Sequence, residues 1–236
     1  DYSCHIVDDF SLSFDGINDN VQVDGNLVPT FPLTISSDIF IDSLQVNNII
    51  ARIAPGYIWY IRNPNDSMQL SLYCEDCDNG YADYGHDYSF EENTWYNVVI
   101  SVDENNIVSH FVNGEELTSI PSNMSNTLTA NVSIEDLIIG FFPEDNETFN
   151  GKMKDFKLWN KVLSQDEISQ NLNGQYELDD LIIDFQFAKG QGNYLYDYSG
   201  NQNHGNIYDE TSWYLEGCTD ESACNYNENA TFEDNS

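Results

Sequence analysis

Leu12-Ser13-Phe14-Asp15-Gly16-Ile17-Asn18-Asp19-Asn20-Val21-Gln22-Val23 sets two short alternating runs on either side of an acidic turn that carries a glycine. Alternation sends one set of side chains to a core and the other to water, so each run reads as a half-buried strand. The turn supplies Asp15, Asn18 and Asp19, oxygen donors of the kind a hard cation takes. The same grammar continues through Leu33 to Ile41, Ile49 to Ile53, Tyr57 to Arg62, Gln69 to Tyr73, Trp95 to Val102, Ile107 to Val112, Leu137 to Phe142, Gly151 to Trp159 and Leu181 to Phe187. Eleven such runs at short spacing predict an all-β, antiparallel two-sheet sandwich or jelly roll.

Composition agrees. The 15 Tyr, 13 Phe and 4 Trp against 3 Met favour strands, because aromatic side chains pack well on a pleated, half-buried face. At 236 residues the chain is long enough for one full β core with small appendages. Lys and Arg number 7 against 41 Asp and Glu, a formal charge of -34 that excludes nucleic acid and anionic membranes as partners. Much of that charge is explained as a solvated acidic surface screened by salt. No run of 18 apolar residues is present to span a bilayer. The start at Asp1, with neither Met nor a signal-peptide pattern, is read as a mature product or a piece of something longer.

Two local signals stand out within the strands. Asn113-Gly114, between Phe111-Val112 and Glu115, is the pair whose positive φ angles suit a two-residue hairpin. Ser164, followed by Glu167, predicts a capping box opening a short helix that sets Ile168 and Leu172 on one face and stops at Gly174. Beyond that helix, Tyr176 to Asp180 reads as an acidic bend. Near Glu216 the aromatic strands give way to Asn, Asp, Glu and cysteine, which marks a boundary there.

The cysteines are Cys4, Cys74, Cys77, Cys218 and Cys224, an odd number. Cys74 and Cys77 have redox or zinc spacing, but no second close pair and no basic neighbour accompanies them, so a small loop disulfide in an oxidising compartment is expected. The remaining odd cysteine calls for a partner elsewhere. Sequons at Asn65, Asn123, Asn131, Asn146 and Asn229 are glycan acceptors if the chain passes through a eukaryotic secretory route, though an Asn-, Ser- and Thr-rich chain produces most of them by chance.

Four motifs taken together resemble the laminin-G-like, concanavalin-A-like jelly roll. They are Leu12-Ser13-Phe14-Asp15-Gly16 with Asn18-Asp19; Thr94-Trp95-Tyr96-Asn97-Val98-Val99 leading to Phe111-Val112-Asn113-Gly114; Phe149-Asn150-Gly151 through Asp155-Phe156-Lys157-Leu158-Trp159 to Ser164; and Asp197-Tyr198-Ser199-Gly200-Asn201-Gln202-Asn203-His204-Gly205. The resemblance spans the domain placed at 10–216 and implies two antiparallel sheets packed face to face. It also implies a calcium site in which Asp15, Asn18 and Asp19 are joined by Asp155. The tail 217–236 resembles a short cysteine module found in tandem in large secreted surface proteins, and 1–9 resembles the far side of the same junction. That implies that Cys4, and one of Cys218 or Cys224, pair with neighbouring units.

Asp197, Asn201 and Asn203 form an oxygen-rich loop that ordinary turn chemistry explains better than a cation does. Asn225, Asn227, Asn229 and Glu233 mimic an EF-hand, but Ala230 and Ser236 stand where glycine and glutamate are needed. Glu177 and Asp179 would share a strand face as glycanase acids do, yet Leu181 and Ile182 stand where a further acid should follow and the segment reads as the bend after the helix, so no catalytic role is expected. His5, His86, His110 and His204 read as turn or strand-surface residues. Tyr81, Tyr84, His86 and Tyr88 read as an acidic aromatic loop, open either to a carbohydrate or to a neighbouring subunit. The resulting expectation is a non-enzymatic, extracellular or cell-surface structural module, stabilised by calcium and disulfides, that joins like units through its termini. The alternative is a calcium-dependent carbohydrate-binding adhesin domain.

Overall fold

A computed structural model describes residues 10–23, 27, 31–54, 57–63, 68–77, 80–120, 127–128, 137–143, 147–187, 190–209, 211–215 and 230–231; at 54, 75–77 and 80–82 this covers the backbone alone. In chain order the first strands are β1 (Ser11–Asp15), β2 (Asn20–Val23), β3 (Leu33–Ile41), β4 (Asn47–Ala54), β5 (Tyr57–Arg62), β6 (Gln69–Cys77) and β7 (Gly80–Asp87). They are followed by β8 (Trp95–Val102), β9 (Val108–Val112), β10 (Glu115–Glu116), β11 (Leu137–Ile139), β12 (Phe141–Phe142), β13 (Glu147–Thr148) and β14 (Asn150–Trp159). The helix α1 (Gln165–Leu172) leads to β15 (Leu181–Phe185), β16 (Tyr194–Leu195), β17 (Gly205–Tyr208) and β18 (Ser212–Tyr214).

The strands build the expected sandwich. One sheet runs β10-β9-β8-β3-β14-β1-β18, with β15 also paired to β14; the other runs β16-β17-β2-β11-β4-β5-β6-β7. The described pairings in both are antiparallel. Inward residues of every long strand meet in one core that includes Leu12, Phe14, Ile35, Ile39, Trp59, Ile61, Leu70, Leu72, Val98, Ile100, Phe156 and Phe185. Non-polar burial of this kind stabilises by roughly 25 cal/mol per Å². The opening stretch places β1 in one sheet and β2 in the other, so its turn crosses between them.

Local signals resolve as their chemistry requires. Asn113 and Gly114 have φ of 51° and 82°, and β9 and β10 pair directly across them. At the helix, Ser164 Oγ accepts from the Glu167 amide while the Glu167 carboxylate accepts from the Ser164 amide at 2.6 Å. Ile168 is buried, but Leu172 is 43% exposed and Asn171 occupies the second inward position. Asn171 Nδ2 donates to Ser36 Oγ at 3.0 Å, a hydrogen bond that apolar periodicity could not announce. At the boundary the tail folds back: Thr231 accepts from the Leu215 amide through Oγ1 and returns its own amide to Leu215 O, each at 2.9 Å.

Candidate functional site

The outer face of the second sheet carries a cavity of about 210 Å³ lined by Asn47, Ile58, Tyr60, Arg62, Tyr73, Asp83 and Glu147. Strand alternation explains the set. On β5, Trp59 and Ile61 enter the core, so Ile58, Tyr60 and Arg62 face outward. Register then aligns Ile58 with Tyr73 of β6, and Tyr73 with Asp83 of β7. The β12–β13 hairpin supplies the wall on the far side. Its Phe142 packs against Ile49, Ile58 and Tyr60, and the Glu147 carboxylate accepts from Asn47 Nδ2.

Asp83 organises the cavity floor. It accepts from the Tyr60 hydroxyl at 2.6 Å and from Arg62 Nη1 at 2.5 Å. Burial, and then the adjacent Asp83 charge, raise the Tyr60 pKa, so the phenol remains a hydrogen-bond donor. The Arg62 side chain is 32% exposed and that of Asp83 18%, which leaves the pair half in water and within reach of a ligand. Two tyrosines beside amide, guanidinium and carboxylate groups make a surface suited to sugar C–H faces and hydroxyls.

The Asp15 turn stands behind this wall. Thr148 Oγ1, beside Glu147, donates to Gly16 O at 2.8 Å. Gly16 has φ of 79°, a backbone conformation that a side chain strains, and a Cβ there would lie 2.7 Å from Asn150 Nδ2 and 2.8 Å from Gln45 Nε2, so both amide ends would have to move. Asp15 Oδ1 accepts from the Ile17 amide at 2.8 Å, and Asp19 Oδ2 accepts from the Asp15 amide at 2.7 Å. Asp15, Asn18 and Asp19 are thus brought into one turn, but Asp155 is not. Asn150 pairs with Asp15, and Asp155 lies five positions farther along β14, roughly 16 Å at the rise of a strand. It occupies a bulge at φ 51°, with its carboxylate 3.8 Å from Lys157 Nζ. Among the described residues, no group of three or more His, Cys, Asp or Glu is placed to hold a metal ion.

The expected aromatic loop is a strand, and its face is inverted. β7 turns Tyr84 and His86 into the sandwich, each 3% exposed, while Tyr88 packs against Phe90 and Tyr96. None of these three lines the cavity; Asp83, one residue out of phase with Tyr84, does. The Tyr81 side chain lies outside the described residues. His110 is also fully buried, so two of the four histidines are interior rather than surface groups. His204 accepts from the Asp197 amide in the loop expected to be a turn, where the Asp197 carboxylate takes donors from Asp184, Ser199 and Asn203. Glu177 and Asp179 lie in the bend, where Glu177 O accepts from Trp159 Nε1 at 2.8 Å.

Cys74 is fully buried and disulfide-bonded. The Cys77 side chain lies outside the described residues. So do Cys4, Cys218, Cys224, the EF-hand-like segment around Asn225 and Asn227, and all of Asn65, Asn123, Asn131, Asn146 and Asn229.

Residues 15–169 match the laminin-G-like family described as the concanavalin A-like lectin/glucanases superfamily. The chain belongs to that family. This superfamily domain is similar to a Bacteroides ovatus protein proposed to bind carbohydrate, with 17% identity and a TM-score of 0.65 over 89% of the chain. The chain spans 60% of that protein's length. It is also similar to the native heptameric SAP-like pentraxin of Limulus polyphemus, with 14% identity, a TM-score of 0.61, and 89% of this chain and 97% of the pentraxin covered. At these identities the likeness is one of fold. A comparison with curated protein sequences finds no match. No described helix of this superfamily domain is long and apolar enough to cross a membrane.

Proposed function

We propose that the chain is a non-catalytic carbohydrate-binding module of an extracellular protein, and that its ligand enters the cavity on the outer face of β4 to β7. The observation that carries this reading is the convergence of Tyr60, Tyr73, Arg62, Asp83, Asn47 and Glu147 on one cavity. Its volume of about 210 Å³ lies below the ~300 Å³ at which pockets for drug-sized ligands begin, and suits a single sugar ring with the rest of the glycan outside. Both carboxylates are held by side-chain donors, Asp83 by Tyr60 and Arg62 and Glu147 by Asn47. That arrangement binds hydroxyls rather than shuttling protons. The family's description and the function proposed for the Bacteroides ovatus protein point the same way. The Cys74 disulfide supports an oxidising, extracellular compartment.

A glycan array with the whole chain tests the proposal, with Tyr73→Ala and Arg62→Ala as cavity variants. Binding that both variants weaken supports it; absence of binding across neutral, amino and acidic glycans, or binding that neither variant alters, refutes it. Calcium enters the proposal in reduced form. The turn offers Asp15, Asn18 and Asp19 and needs backbone carbonyls and water to reach six oxygens. Calorimetric titration of calcium alone, in wild type and Asp15→Asn, decides whether the turn holds the ion. Assembly through the termini rests on 1–9 and 217–236, of which only 230–231 are described; mass spectrometry without reductant tests those cysteines directly.

A further inference from the structure

Directly behind the cavity strand, two imidazoles meet inside the sandwich. Among the described strands β7 is at the edge of its sheet, paired there to β6. Its alternation turns Asp83 outward into the cavity and His86 inward, toward His110 of β9 in the opposite sheet. The two Nδ1 atoms lie 3.1 Å apart, and the rings cross at 70° with centroids 5.3 Å apart. His86 is 3% exposed and His110 is fully buried.

A contact of that length between ring nitrogens holds one proton, with one ring donating and the other accepting. Among the described residues, buried His110 Nε2 has no hydrogen-bond partner. Leaving that nitrogen bare is the less costly choice, so His110 donates through Nδ1 and His86 accepts, keeping its own proton on Nε2. An additional proton finds no favourable place. On His86 Nδ1 it meets the Nδ1–H of His110 head-on and breaks the bond. On His110 Nε2 it creates a buried donor with no partner, and the added charge stays inside the sandwich whether the shared proton remains on His110 or passes to His86, which is 3% exposed.

The neighbours do not relieve this. In register, Leu70 of β6 lies beside His86 and Ile100 of β8 beside His110. The acids that attract a proton to His86 are Glu116 of β10 and Asp87 of β7 itself. Asp87 is already engaged, its amide donating to Ser119 O at 2.8 Å and its carboxylate accepting from Ser119 Oγ at 2.9 Å. Burial outweighs both acids and holds the His86 pKa below the usual histidine range. Burial, and then His86, hold that of His110 lower still.

We infer that the His86–His110 contact is an acid-sensitive latch: at neutral pH it ties edge strand β7 to the opposite sheet, and on acidification it lets go of the strand that carries Asp83 into the cavity floor. The consequence for ligand release rests on the carbohydrate reading above, whereas the latch itself does not. Hydrogen exchange of the whole chain without ligand, corrected for intrinsic rates, is compared at pH 7.5 and pH 5.0. Amides of 83–87 are expected to lose protection by about tenfold per pH unit for each proton taken up. His86→Phe/His110→Phe keeps an edge-to-face ring pair without a titrating group, and its protection is expected to stay flat. Should that variant not fold, NMR titration of the wild-type imidazoles reads the same step: both histidines gaining protons only together with loss of β7 protection supports the latch. Equal pH dependence in wild type and variant overturns it. So does reversible titration of both imidazoles near 6.5 with β7 still protected. If β7 opens on schedule but glycan affinity does not fall with it, the link to the cavity is refuted and the latch stands; if no glycan binds at any pH, the carbohydrate reading fails separately.

Discussion

Replacing Asp83 with Asn tests the cavity most directly, because one carboxylate there serves two partners. The substitution keeps the shape and one acceptor oxygen but removes the charge facing Arg62. Hydrogen bonds to charged groups contribute about 1.5–3 kcal/mol when buried, whereas exposed ion pairs contribute about 0–1 kcal/mol. With side chains 32% and 18% exposed, the Arg62–Asp83 pair falls between these limits, so Asp83→Asn is expected to cost about 1–2 kcal/mol. For a chain of this size each kcal/mol lowers Tm by about 2–4 °C, giving a fall of roughly 2–8 °C in calorimetry. Tyr60→Phe serves as the second arm of a double-mutant cycle, and the two changes are expected to be non-additive because they share one hydrogen bond. Affinity for any glycan found on the array is expected to drop by at least tenfold, about 1.4 kcal/mol. Additive effects in the cycle, or unchanged stability and affinity, would refute the arrangement. The raised Tyr60 pKa adds a pH signature. Stability is retained below pH 10 and declines above it, as unfolded tyrosine ionises while the buried phenol does not.

Other perturbations probe the frame around the cavity. Lys161, and then the Ser164 amide, hold the Glu167 pKa down at about 2; its contribution is present above about pH 4.5 and is lost as pH falls toward 2. With solvent screening, Glu167→Gln is expected to cost about 1–2 kcal/mol at pH 7 and nothing further at pH 2, as read by denaturant unfolding at both pH values. Gly16→Ala places a side chain at φ 79° against Asn150 and Gln45; a loss of about 1–2 kcal/mol in the same assay is expected. Asp197→Ala removes the acceptor for the buried Asp184 amide and for Ser199 and Asn203, and a loss of about 2–4 kcal/mol is expected, with faster exchange at those amides.

The strands, the hairpin and the helix start were legible because their signals are local. Alternation between Leu12 and Val23, the Asn113-Gly114 pair and the Ser164–Glu167 box each act within a few residues. The second buried position of the helix was not, since Asn171 is held by Ser36, 135 positions earlier in the chain. The cavity is not legible in the sequence for a related reason. Tyr57-Ile58-Trp59-Tyr60-Ile61-Arg62 is apolar on both faces except at Arg62, whose charge is the one signal that assigns Tyr60 and Ile58 to the outer side. Around Tyr84 and His86 the composition is right for a sugar site, but pairing with β6 decides which parity faces outward.

By itself, then, the sequence determined the β sandwich, its family and the turn at Asp15, because backbone propensity and periodicity are written in neighbouring residues. Tertiary structure alone decided that this turn braces a hairpin wall, that Asp155 belongs elsewhere, and that Asn47, Tyr60, Tyr73, Asp83 and Glu147 meet. Those outcomes depend on strand register and on which sheet each strand joins, and a shift of one residue sends a side chain from water to core.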